Sequence, residues 1–131
     1  MLCIPKKMGK LRTVINCRKH KDNTVKDVTP FPDHDQIRMD VTRARYHLKI
    51  DLSNTYEQVC VDPEDIKKTA FSTIFGTFLS QVMQQGDCNA PATFQQPMTV
   101  VLQECIGWFI HVYLDDIFVF SNMLEEHKRH L

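Results

Sequence analysis

Asp115 and Asp116 stand side by side between two apolar runs, Trp108-Phe109-Ile110-His111-Val112-Tyr113-Leu114 and Ile117-Phe118-Val119-Phe120. Both flanks are of strand length and rich in β-branched and aromatic residues, so they read as two buried strands of a hairpin with the acidic pair at its turn. Carboxylates in an apolar setting either take up protons or require a cation, and an adjacent like charge sharpens that requirement. Tyr46 to Leu52 alternates in the manner of a strand and carries a third carboxylate, Asp51, just before the turn signal Ser53-Asn54. Neighbouring side chains on a strand point to opposite faces, so Asp115 and Asp116 can share a target only if the chain bends between them. Asp51 and Asp115 are therefore the predicted main ligands of a cation, with Asp116 the weaker or outer one. Hard oxygen donors without a convincing His or Cys among them favour Mg²⁺ or Mn²⁺ over Zn²⁺. A solvated Asp-Asp turn is the plainer reading of the same pair.

Five segments in order carry a resemblance. Lys6 to Ile15 (KKMGKLRTVI), Lys49 to Tyr56 (KIDLSNTY), Lys68 to Thr73 (KTAFST), Asn89 to Gln95 (NAPATFQ) and Tyr113 to Ile117 (YLDDI) resemble the motifs of reverse transcriptases from gypsy-type LTR retrotransposons. The resemblance implies an α+β fold: the palm of a right-hand polymerase, with an antiparallel sheet and packed helices, plus partial fingers and no thumb. Its bounds are palm-like 27–58 and 90–131 and fingers-like 1–26 and 59–89. It further implies RNA-directed DNA polymerase chemistry, the in-line attack of a primer 3′-hydroxyl on the α-phosphate of a deoxynucleotide. Asp51, Asp115 and Asp116, with the backbone carbonyl of Leu52, match the positions that hold two Mg²⁺ ions, for which Mn²⁺ can substitute. Arg12 and one of Lys6 and Lys7 match the grip on the triphosphate, where a planar guanidinium donates in pairs. Tyr56 matches the aromatic residue beneath the sugar, and Gln85 a glutamine that touches the incoming nucleotide. The implied partners are an RNA or DNA template with its primer, deoxynucleoside triphosphates and the rest of a Pol polyprotein; cytoplasmic virus-like particles are the implied location.

Each position also has a plainer reading. Tyr56 fits a core aromatic, Gln85 simple loop polarity, and the lysines a solvated hairpin. Met8, Asn16, Cys60, Gln96-Pro97 and Trp108 depart from the family pattern, and Pro97 falls inside a predicted helix, where it deletes a hydrogen bond at a cost of about 3 kcal/mol. The isolated chain is accordingly expected to be inactive. A non-catalytic nucleic-acid-binding remnant and an inert decayed fragment are the alternatives.

These residues must be positioned by a single small core, since 131 residues allow little more. Predicted strands are Leu2 to Pro5 and Leu11 to Cys17 around Met8-Gly9, Tyr46 to Leu52, Glu57 to Val61, and Thr69 to Ser72 with Phe78 to Met83 around Gly76. Predicted helices run from Asp33 to Val41 behind Pro32, from an Asn89 cap through Cys105, and from Leu124 to Leu131 with a Glu125–Arg129 pair. Net charge is zero, yet up to Lys26 eight basic residues face one acid, Asp22, leaving the remainder acidic. Such asymmetry suits a phosphate-binding surface beside a cation-holding centre. Five cysteines without C-x-x-C spacing argue for free thiols, and His127 and His130 are expected to face solvent. No apolar run reaches the length of a membrane span and no signal peptide is evident, so a soluble, intracellular protein is predicted.

Overall fold

The computed structural model describes residues 2–5, 9 and 11–131. The chain forms two compact units, Met1–Asp27 with Tyr56–Ala90, and Val28–Thr55 with Pro91–Leu131.

In the first unit β1 (Leu2–Pro5) pairs antiparallel with β2 (Leu11–Val14), and Gly9 between them takes the positive φ of +75° that a tight connection needs. A short helix, α1 (Arg18–Asp22), follows where no element was predicted. Glu57 to Val61 is not the expected strand: Tyr56–Gln58 is a single 3-10 turn, and only an isolated bridge, Cys60 to Val82, joins this stretch to its neighbour. The predicted pairing around Gly76 is shorter than expected and shifted. Strands β4 (Phe71–Thr73) and β5 (Gly76–Phe78) enclose the two-residue turn Ile74-Phe75, while Ile66–Thr69 is a second 3-10 helix.

The second unit is built on a three-stranded antiparallel sheet in which β7 (Asp116–Ser121) lies between β3 (Tyr46–Asp51) and β6 (Ile110–Tyr113). Ile110 and Val112 face Val119 and Ile117 across the β6–β7 ladder, and this face forms the core with Met98 and Leu102. Those two residues belong to, or directly follow, helix α3 (Ala90–Val101), which ends in turns before Cys105 rather than continuing through it. Pro97 is accommodated inside α3 at an exposed position. On the other face, α2 (His34–Arg43) is capped by Asp33, whose side chain accepts from the amides of Asp35 and Gln36. It meets the sheet through Asp40, whose carboxylate lies 2.9 Å from Nε2 of His111.

Helix α4 (Leu124–Arg129) corrects two expectations. Glu125 pairs with Lys128 at 2.9 Å instead of Arg129. His127 is buried, and both His127 and His130 point Nδ1 at the hydroxyl of Ser121, at 3.0 and 2.8 Å, while His130 stacks on Phe109. Neither imidazole is a solvent-facing surface group. Trp108, predicted within a strand, instead lies in a turn and is 84% exposed.

Candidate functional site

The acidic tip of the β6–β7 hairpin is arranged differently from the expectation of a buried Asp-Asp turn. The turn is Leu114-Asp115; Asp116 is the first residue of β7 and faces Tyr113 on one side and Asp51 on the other. Two of the three carboxylates therefore sit on directly opposed residues of β3 and β7, whose side chains share a face. The third is one residue away, in the turn. Asp51 is exposed and Asp115 and Asp116 are half-buried, so burial does not by itself force a cation onto them. Proximity of like charges is the stronger reason.

The tip is tied down from two directions. The Leu52 amide donates to the carbonyl of Asp115 at 2.8 Å, which fastens the end of β3 to the turn. Gln95, 3% exposed on α3, accepts from the Leu114 amide at 2.8 Å and donates to the Val112 carbonyl at 3.2 Å. Held this way, Leu114 takes φ of +55°, a left-handed conformation that costs a non-glycine residue about 1–2 kcal/mol. Strain of this kind persists only where surrounding contacts over-determine it.

Lys49 completes the group. It lies two residues before Asp51 on the same side of β3, and its ammonium is 2.8 Å from Oδ2 of Asp116 and 5.9 Å from the centre of the Phe118 ring. The hydrogen bond that Lys49 donates to Asp116 raises the Lys49 pKa above the ordinary lysine range; desolvation opposes this, and the charges of Asp116, Asp51 and Asp115 add to it. All three carboxylates thus act on one cation. Sequence reading passed over Lys49 and Gln95, although the alternation of β3 puts Lys49 and Asp51 on one face.

The donor set, three carboxylates with no thiol or imidazole among them, suits a hard divalent ion. Among the described residues, no three His, Cys, Asp or Glu side chains converge into a ready metal cage, and one of the three carboxylates here is engaged by Lys49.

The other predicted site residues belong to the first unit. Tyr56 begins a 3-10 turn, and Gln85 is exposed in a turn before Gly86. Gly86 lies so close to Cys17 that an added Cβ would come within 2.9 Å of its sulfur. Cys17 is buried, and burial, then the charge of Asp87, push its thiol pKa up against the opposing pull of Lys21. Its sulfur thus packs against the Gly86 backbone. The backbone of Arg12, in β2, pairs with that of Ile4 in β1. Lys6 and Lys7 lie outside the described residues, as does the side chain of Arg12.

Residues 4–131 match the reverse transcriptase (RNA-dependent DNA polymerase) family. The chain belongs to that family. It is 40% identical over 129 residues to the Retrovirus-related Pol polyprotein from transposon 297 and 33% identical over 120 residues to that from transposon gypsy, both of Drosophila melanogaster. These alignments cover 95% and 92% of this reverse transcriptase chain, which spans 12% of each polyprotein. Among solved structures, the foamy viral protease-reverse transcriptase in complex with ds DNA is similar with a TM-score of 0.87 and 26% identity, covering 98% of this chain and 22% of that one. Its complex with RNA/DNA hybrid is similar at 0.83 and 25% identity, covering 97% and 17%. The mixed helical and antiparallel architecture is therefore that of a reverse transcriptase.

Proposed function

We propose that this chain supplies the acidic centre of an RNA-directed DNA polymerase that adds deoxynucleotides to a primer on an RNA or DNA template. The carrying observation is the opposition of Asp51 to Asp116 with Asp115 in the adjoining turn, in a chain of reverse transcriptase family membership. Reverse transcriptases use divalent metal ions. Here Asp51, Asp115 and Asp116, with the carbonyl of Leu52, are the residues that would hold two Mg²⁺, or Mn²⁺ in their place. Bound ions of this type sharpen the attacking hydroxyl and neutralise charge on the leaving pyrophosphate. The protein's own part is placement: the braces on Leu114 and Asp115 fix where the carboxylates stand, and in phosphoryl transfer such positioning is most of what a protein contributes.

In this reading the unit containing β1, β2, β4 and β5 is fingers-like and the unit containing β3, β6 and β7 is palm-like. Arg12 with Lys6 or Lys7 receives the triphosphate, Tyr56 lies under the sugar and excludes a ribose 2′-hydroxyl, and Gln85 touches the nucleotide. The template duplex is the counterpart of the nucleic acids bound by the foamy viral enzyme, and the remainder of a Pol polyprotein supplies the grip on it. Taken alone, the chain binds metal without sustaining synthesis.

Titration with Mn²⁺, read by the electron paramagnetic resonance of the free ion, tests the centre. Asp51→Asn and Asp115→Asn are each expected to weaken binding by about tenfold or more, since affinity for hard cations follows ligand charge. Unchanged binding in both variants overturns the assignment. Primer extension on poly(rA)/oligo(dT) with Mn²⁺ tests the remaining clause: incorporation by the chain alone that Asp115→Asn abolishes would show that it needs no further part of the polyprotein.

A further inference from the structure

We propose that Lys49 is the resident counter-ion of the acidic tip, holding Asp116 in the metal-free protein and competing with the divalent ion for that carboxylate. The inference rests on the reading of Asp51, Asp115 and Asp116 as metal ligands.

Register supplies the first support. Lys49 faces Phe118 and Asp51 faces Asp116, so these four side chains occupy one face at the open end of the β3–β7 ladder. The ammonium is held by a carboxylate at 2.8 Å and parked near the negative face of an aromatic ring. Carboxylates at the end of β3 and at the tip of the β6–β7 hairpin repel one another, and a neighbouring cation relieves that repulsion whenever no metal is present.

The second support is the incompleteness of the cage. No three acidic, imidazole or thiol side chains among the described residues are gathered to grip an ion, while Oδ2 of Asp116 is directed at Lys49. An ion that takes Oδ2 of Asp116 as a ligand has to displace that ammonium, and one that takes the other oxygen has to share the carboxylate with it. Displacement is feasible because the Lys49 side chain is half exposed and unbranched, and ion pairs of that exposure are weak. Lys49 is therefore a positioning residue: it keeps the carboxylates together at rest and lowers their apparent metal affinity.

The test compares the full chain with Lys49→Met, Lys49→Gln and Lys49→Arg, using Mn²⁺ alone as the probe. Removing the charge is expected to tighten Mn²⁺ binding about fivefold, with Arg staying near the parent, and the gain should shrink as salt screens the site. Without metal, the Met and Gln variants should melt below the parent, and saturating Mn²⁺ should close that gap. Equal or weaker Mn²⁺ affinity in folded Met and Gln variants overturns the role of Lys49 and leaves the metal centre standing. Absence of Mn²⁺ binding in every protein, the parent included, removes the metal reading and this inference together.

Discussion

Two hairpins of this chain close with turns of the same length and are held in opposite ways. The β4–β5 turn, Ile74-Phe75, is supported locally among the described residues: the Phe75 amide donates to the Thr73 hydroxyl, which in turn donates to the Gly76 carbonyl. Its two apolar residues are 93% and 85% exposed, and the positive φ of the connection falls on a glycine, Gly76. The β6–β7 turn, Leu114-Asp115, places its positive φ on a leucine and is gripped by Gln95 from α3 and by Leu52 from the end of β3. A relaxed turn with a permissive residue needs no help from the rest of the fold. A strained one does, and the acidic tip is where contacts from the rest of the fold are concentrated.

That contrast can be broken at several points. Val112→Ala, which hollows the core beneath the acidic hairpin, is expected to cost about 2–3 kcal/mol in denaturant unfolding. Gln95→Leu should cost about 1–3 kcal/mol by stranding the Leu114 amide and the Val112 carbonyl. Hydrogen exchange at Leu114 should accelerate in that variant, and an unchanged rate would mean the hairpin holds itself, as β4–β5 does. Acid should separate the two hairpins as well. Hydrogen bonds from Gln36 and then His111 hold the Asp40 carboxyl below its usual 3.8. A depressed folded value gives stability that is full above the unfolded pKa and is lost as pH falls from there through the folded one. Acid unfolding below about pH 4 should therefore lose part of its pH dependence in Asp40→Asn, with amides of β6 affected before those of β5. Smallest of all, Ile74→Ser with Phe75→Ser should shift stability by no more than about 0.5 kcal/mol, as exposed positions do. A loss beyond about 1 kcal/mol would show hidden support at that turn.

The extent to which the sequence reveals this depends on the kind of contact. Tyr46 to Asp51 is legible as a strand because its alternation is local, and the helix expected from Asp33 follows from Pro32 and the acids of its first turn, Asp33 proving to be its cap. Glu57 to Val61 fails as a strand because its residues suit extended backbone equally well when only one bridge forms. His127 and His130 are misread as solvated because nothing near them in sequence reveals Ser121, which needs both the last strand and the last helix in place. The burial expected of the acidic pair is likewise wrong: apolar neighbours in sequence cover one face of a strand and leave the other open.

Motif order and residue chemistry determine, from the chain alone, the reverse transcriptase family, the α+β class and a hard-cation donor set, because those properties reside in residue types and short spacings. Strand register decides that Asp116 confronts Asp51 and that Lys49 reaches Asp116, and helix packing decides that Gln95 braces a strained Leu114. These are contacts between residues 19 to 67 positions apart, which local preferences do not encode. They arise only when the sheet pairs and the core closes over it.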